Sequence, residues 1–374
     1  MKILNLISSS GLFGAEHVVL NLASFDDYEG IVGALHNVHN PHTEIIEEAR
    51  KLNLKYEVFP SKGRMDFQTV IFLKDYLIKN NVDVIHSHNY KSDMISFLAS
   101  RLAKREWVST NHVWHGTDQK LRFYEKLDAL ILRFADKVIA VSEEIKTDLI
   151  KKGIKSSKVI VINNGIDIDK FRGQNKDFAL KRFLGFNDGD VVVVIVGRLS
   201  VEKGHELFLK SALRIHQKHA QVKFLIVGDG PLKDKIKEDV RQAGLKDVTA
   251  LAGLRSDMPV VYAMCDIFVN ASFIEGLPMT LLESMASKVA VVCSSVGAIP
   301  MVIRSGENGL LFKPGDEEAL TGHVNFLIEN ETARKAYGET AFQDVCRTFS
   351  FKEMSRQYFE VYKTVLSGKK TSHL

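Results

Sequence analysis

The sequence predicts an α/β chain of two Rossmann-like, doubly wound domains. Three observations predict it. The chain has 374 residues, more than one core usually serves. Short apolar runs alternate steadily with stretches of helical periodicity, the pattern of a parallel sheet covered by helices. The rhythm then restarts after Asn163-Asn164-Gly165-Ile166-Asp167. This places an N-terminal domain at 1–165 and a C-terminal domain at 166–351, with the Asn164-Gly165 turn and the polar residues up to Lys176 as the link. No shorter period recurs, which excludes a solenoid. Two such domains facing each other form a cleft, lined by the loops at the carboxyl ends of the strands, where such sheets bind ligands.

In the first half, Ile3–Ile7, Gly30–Leu35, Tyr56–Phe59, Val82–Ile85, Trp107–Ser109, Val138–Val141 and Val159–Ile162 read as strands, with Ala15–Ala23, Phe67–Lys79 and Leu121–Phe134 as helices between them. In the second half the strands are Val191–Val196, Lys223–Val227, Asp247–Leu251, Ile267–Val269, Val289–Val292 and Gly309–Phe312. Val191–Val196 is the densest apolar run. It is far shorter than the roughly 20 residues that span a bilayer and suits a strand buried on both faces.

Hydrophobic residues make up 45% and charged residues 26%, which excludes a disordered chain. A net charge of +4 is too small to imply a nucleic-acid partner. Cys265, Cys293 and Cys346 have no paired spacing, so reduced thiols in a cytoplasmic chain are expected, with Cys265 and Cys293 buried in strand-like surroundings. The opening run lacks the longer apolar core and cleavage site of an export signal, which agrees with that location.

The chemistry concentrates in the second half. Gly197-Arg198-Leu199-Ser200-Val201-Glu202-Lys203-Gly204 follows a strand and precedes a helix. Two cations at such a turn, beside unpaired N–H groups, suit a diphosphate; the competing reading is a solvated turn. In Glu275-Gly276-Leu277-Pro278-Met279-Thr280-Leu281-Leu282-Glu283, Pro278 suits the first helical position. Glu283 then lies in the second turn and Glu275 just outside, near the positive end of the helix dipole. N–H groups there hold a phosphate or a developing charge, unless the pair is simply a surface acid and a mid-helix acid. Val227-Gly228-Asp229-Gly230-Pro231 is an incomplete glycine pattern and reads as structural.

Taken in order, GRLSVEKG, VGDGPLKDKI, SFIEGLPMTLLESMAS, VGAIP and NGLLFKPGD, preceded by GLFGAEHVVLNLA, HSHNYKSD, ADKVIAVSEEIK and VINNGID, resemble family 4 of the retaining glycosyltransferases, which have the GT-B fold. The resemblance covers nearly the whole chain and rests on the order and spacing of the motifs. It implies that Arg198 and Lys203 contact the donor diphosphate, that Glu275 meets the donor sugar near the reacting carbon, and that Glu283 holds ribose hydroxyls. The amides of Gly276, Leu277 and Pro278 would face sugar and phosphate. Gly14 would reach the donor phosphates; where the family has two adjacent glycines this chain has Phe13-Gly14. His112, which follows a strand at the expected distance, is preferred as the reaction-centre histidine over His115, which Gly116 follows. The last helix, within about 352–374, would pack back on the first domain.

The implied activity is retaining transfer of a sugar from a UDP- or GDP-linked donor to a glycan or lipid-linked acceptor. Bacterial surface polysaccharide or lipopolysaccharide synthesis is the implied setting. His112, Glu275, Arg198 and Lys203 form the expected catalytic set. Because the cations and helix N–H groups take the charge of the leaving diphosphate, no metal or other cofactor is expected. The alternatives are a nucleotide-sugar epimerase on the same scaffold and a non-catalytic binding protein. Asp167-Ile168-Asp169 has the form of the metal-binding Asp-x-Asp of the other main glycosyltransferase fold, but its place in the link discounts it. The first half also carries His17, His36, His39, His42, His86 and His88. His86 and His88 follow a strand end, where lining an acceptor, or simple loop chemistry, is preferred to a metal site; His88 and His115 are the acceptor-side candidates. Basic and apolar residues at helical spacing in Lys120-Leu121-Arg122-Phe123-Tyr124-Glu125-Lys126-Leu127 suit peripheral contact with the inner face of an anionic membrane. The competing reading is a helix packed on its own sheet.

Overall fold

The computed structural model describes residues 1–8, 11–12, 14–37, 44–62, 66–112, 119–174 and 178–370. The chain divides into two compact units, one of residues 1–165 with the C-terminal segment from Phe351, the other Ile166–Ser350.

The first unit is built on seven strands: β1 (Lys2–Ile7), β2 (Glu29–Asn37), β3 (Lys55–Ser61), β4 (Val84–Ser87), β5 (Glu106–Asn111), β6 (Lys137–Ala140) and β7 (Val159–Val161). All pair in parallel, in the order β3-β2-β1-β4-β5-β6-β7. The near-continuous apolar run of β1, with Ile3, Leu4 and Leu6 fully buried, is what a sheet covered on both faces requires. The winding direction reverses between neighbours β1 and β4, so the loops after these strands open at a topological switch point.

The fourth strand runs two residues further than the apolar run Val82–Ile85 indicates, with register Ile3↔Val84 through Leu6↔Ser87. It accepts the polar His86 and Ser87 because both find buried partners. Ser87 Oγ bonds Asp93 Oδ1 at 2.5 Å and accepts from Trp107 Nε1 at 2.7 Å. The C-terminal helix, Phe351–Lys370, lays Met354, Tyr358, Val361, Tyr362 and Val365 against Ile3, Val84, Val108 and Ile139. Five such side chains, at roughly 2 kcal/mol each, bind that helix to the sheet of its own unit.

The second unit has six parallel strands, β8 (Val191–Val196), β9 (Val222–Val227), β10 (Thr249–Gly253), β11 (Ile267–Asn270), β12 (Ala290–Ser294) and β13 (Leu310–Phe312), in the order β10-β9-β8-β11-β12-β13. Its switch point falls between β8 and β11. The chain enters and leaves this unit side by side, with Ile166 N donating to Phe349 O at 2.8 Å.

Part of the expected link is helical. Ile168–Phe171 forms a short helix whose first turn is capped by Asp167, which accepts from Lys170 N at 3.2 Å. The Asp-x-Asp carboxylate therefore serves a cap. All three cysteines are free; Cys293 lies in β12, but Cys265 lies in the turn before β11 rather than in a strand, donating to Val261 O at 3.1 Å. Among the described residues no group of three or more His, Cys, Asp or Glu is placed to hold a metal, and no helix is long and apolar enough to cross a membrane.

Candidate functional site

In the second unit the segments Gly197–Gly204 and Ala271–Pro278 leave β8 and β11 at the switch point. Their backbones touch. Phe273 N donates to Glu202 O at 2.8 Å, and a Cβ on Gly204 (φ +70°) would stand 2.0 Å from Ala271 O. Only glycine permits both that dihedral and that approach. The loop after β12 closes on the same segment. Ala298 N donates to Gly276 O at 3.1 Å, and Gly297 (φ +54°) lies so near that a Cβ would be 2.1 Å from Glu275 O.

This packing brings Lys203 to Glu275. Nζ lies 2.6 Å from Oε1, with the Glu275 side chain 9% exposed. Ser272 Oγ at 2.8 Å and Asn270 Nδ2 at 3.3 Å donate to the same oxygen. Asn270 is itself held through Oδ1, which accepts from Ser272 N and Ser294 Oγ. A carboxylate so far withdrawn from water needs a counter-charge and hydrogen bonds, and all three donors converge on one of its oxygens. Sequence reasoning missed Asn270, Ser272 and Ser294. The available signal was the abrupt polar close of the apolar strands Ile267–Asn270 and Ala290–Ser294.

Arg198 shares the turn with Lys203 but is exposed, and its guanidinium has no hydrogen bond or ion pair among the described residues. Its carbonyl is held by buried His205 through Nε2 at 3.1 Å, and burial lowers the His205 pKa. His205 was also missed. The Val227–Pro231 turn has the structural role expected of it, with Asp229 O accepting from Leu199 N at 3.0 Å.

The helix after Glu275 spans Met279–Ala286, with Pro278 as its N-cap residue (φ −72°, ψ 126°) instead of its first helical residue. The Pro278 carbonyl begins the ladder by accepting from Leu281 N at 3.1 Å while its own backbone stays extended, as a cap residue does. Glu283 remains in the second turn but does not join the Lys203–Glu275 pair. It accepts from Tyr262 Oη at 3.3 Å, and burial raises its carboxyl pKa against the opposing effects of Tyr262 and Lys170. Gly276 is exposed, Leu277 half-buried and Pro278 buried.

In the first unit the β1/β4 switch point carries the other candidates. Gly14 opens the helix Gly14–Ala23, and a Cβ there would meet nothing within 4 Å. Asn89 Nδ2 donates to Ser8 O at 2.9 Å and ties the loop after β1 to the loop after β4. His86 lies inside β4, not beyond its end. It is fully buried, with Nδ1 2.7 Å from Tyr362 Oη and Nε2 2.8 Å from Thr110 Oγ1. It therefore pins the C-terminal helix to the sheet, which removes it from the acceptor-lining residues. His88 does lie past the strand end, with Nδ1 3.3 Å from His112 Nε2 and the rings stacked at 5.6 Å. Burial lowers all three imidazoles, His112 to about 4. At neutral pH His112 is thus an uncharged ring that can accept or donate a hydrogen bond. His17 is exposed and His36 half-buried, while His39, His42 and His115 lie outside the described residues.

Residues 177–344 match the family described as glycosyl transferases group 1, and residues 14–170 match glycosyltransferase family 4. The chain is 28% identical over 351 residues, 88% of its length and 90% of the relative's, to the N,N'-diacetylbacillosaminyl-diphospho-undecaprenol alpha-1,3-N-acetylgalactosaminyltransferase of Campylobacter jejuni. It is 28% identical over 275 residues, 70% of each chain, to the UDP-Gal:alpha-D-GlcNAc-diphosphoundecaprenol alpha-1,3-galactosyltransferase of Escherichia coli. In fold it is similar to Anabaena Alr3699/HepE, crystallised with UDP, at a TM-score of 0.80 over 97% of this chain and 100% of that one, with 24% identity.

Proposed function

This chain belongs to the group 1 and family 4 glycosyltransferases, enzymes of the GT-B fold, and from that premise we propose that it transfers a hexosyl group from a UDP-linked donor to a lipid-linked glycan, with retention at the anomeric carbon. The names of the two relatives support a diphospho-polyprenyl acceptor, and the UDP held by HepE supports the donor base. Assembly of a bacterial surface polysaccharide at the inner face of the membrane is the setting that such an acceptor implies.

The observation that carries the reading is the Lys203–Glu275 pair at the β8/β11 switch point, on the same turn as the exposed cation Arg198. Cleavage of the anomeric bond leaves negative charge on the departing diphosphate. Arg198 and Lys203 take that charge, aided by the N–H groups of Met279 and Thr280, which precede the first helical hydrogen bond, from Leu281 N to Pro278 O. Glu275, fixed by its donors through Oε1, has Oε2 for the donor sugar. Neutral His112, in the first unit, is a hydrogen-bond partner for a sugar hydroxyl. With two cations on the diphosphate the reaction needs no metal.

The test is turnover of UDP-hexoses by an Arg198→Ala, Lys203→Ala double variant, with EDTA added to the wild type. Loss of one such donor typically costs about 10²–10³ in kcat, so the double variant should lose at least that, and EDTA should change nothing. Normal turnover by a folded double variant would overturn the reading.

A further inference from the structure

The helices Phe67–Lys79, Tyr90–Ala103 and Gln119–Leu132 of the first unit enclose a cavity of about 160 Å³. Its walls include Phe67, Val70, Met94, Leu98, Leu127 and Ile131. The polar lining residue Asp66 spends its carboxylate on the backbone, accepting from Lys62 N and Gln68 N at 3.0 Å each. An apolar cavity of about this size has room for a hydrocarbon the size of benzene. Val70 and Met94 form its floor, while Leu98, Leu127 and Ile131 are half-buried at its mouth.

Around that mouth the surface stays apolar. Phe67 is 68% exposed, Leu130 51% and Phe134 54%. Phe134 packs on Phe97 with the ring centroids 5.3 Å apart and so continues the apolar face. Cations stand among these residues: Arg101 Nη2 donates to Phe134 O at 2.7 Å, and exposed Lys126 lies one turn from Leu130 on the same helix. An exposed apolar face of this kind marks an interaction site. Met94 is the fifth residue of a helix whose cap, Asn89, directly follows His88, so the cavity lies within roughly 8 Å along that helix of the candidate histidine loop.

We propose that this cavity is a hydrocarbon-binding site that takes part of the polyprenyl chain of the acceptor, with the diphosphate on the side of the histidine loop at the start of the helix Tyr90–Ala103. The assignment rests on the lipid-linked acceptor proposed above.

The test uses the full chain and titration calorimetry with farnesyl diphosphate, inorganic diphosphate and UDP. Leu98→Trp and Ile131→Trp, at two half-buried positions on different helices, are two separate ways to fill the cavity. Farnesyl diphosphate should bind more tightly than inorganic diphosphate. Each filling variant should weaken it about tenfold, the equivalent of roughly two CH₂ groups left in water, with UDP affinity unchanged. Equal binding of the two diphosphates, or wild-type affinity for farnesyl diphosphate in the folded variants, overturns the site. So does a parallel flotation assay in which the filling variants lose binding to phosphatidylglycerol vesicles while keeping wild-type affinity for farnesyl diphosphate, which would make the face a bilayer dock without a chain site. Failure of the wild type to bind UDP counts against the donor reading instead, and leaves the farnesyl diphosphate comparison to decide the cavity.

Discussion

Replacing Gly297 by alanine tests how the site is held. The residue has φ +54°, and an added Cβ would stand 2.1 Å from Glu275 O, 2.8 Å from Glu275 C and 2.8 Å from Gly276 O. These are backbone atoms and have no rotamer by which to move aside. Gly306 is the control: it has φ +87°, but a Cβ there would meet nothing within 4 Å. Both substitutions place an L-residue in the left-handed region at about 1–2 kcal/mol. Only Gly297→Ala adds overlap, of the order of the 1–3 kcal/mol for overpacking. Gly297→Ala should therefore cost about 2–5 kcal/mol against about 1–2 for Gly306→Ala. At roughly 2–4 °C per kcal/mol for a unit of this size, the gap is readable in melting curves and urea titrations. Because the displaced carbonyl belongs to Glu275, Gly297→Ala should also lower kcat/KM for the donor while Gly306→Ala leaves it near wild type. Equal losses of stability in the two variants would refute the close approach of the β11 and β12 loops.

Acid should destabilise the first unit. A base depressed in the native state contributes its full stability above its unfolded pKa and loses it as pH falls through the folded one. For His112, moved from 6.5 to about 4, that is at most about 3 kcal/mol, and His86 and His88 act in the same direction. Asp93, raised to about 7 by burial beside Ser87, Ser109 and Asp128, acts oppositely, giving stability back as pH falls from 7 towards 4. Three histidines against one carboxyl predict a net fall below about pH 6, with proton uptake on unfolding by calorimetry; a melting temperature flat to pH 5 would contradict their burial. Tyr362→Phe leaves His86 Nδ1 buried without its 2.7 Å partner and should cost about 1–3 kcal/mol, with donor KM unchanged. Tyr358→Phe, which gives up only a 3.2 Å contact with Thr110, should cost less in the same urea titration.

Much of this molecule is local and was therefore legible in the residue order. The helix Phe67–Lys79 and the strand Val191–Val196 have their observed bounds in the sequence, because apolar spacing of 3.6 or 2 is a property of neighbours. Arg198 and Lys203 share one turn, and Glu275 stands next to a helix start, so their motifs can be read without a fold. The polar end of β4 could not be read this way, since His86 and Ser87 are tolerated in a strand only through Tyr362, Thr110 and Trp107, which come from distant parts of the chain. The same ignorance of partners made His86 and His88 look alike, although one is a fully bonded structural ring and the other meets His112. Lys203 and Glu275 lie 72 positions apart, and they meet only because β8 pairs with β11 and glycines let the two loops close to backbone contact. Strand order is set by which packing of all the apolar faces has the lowest free energy, and no short window of sequence contains that comparison.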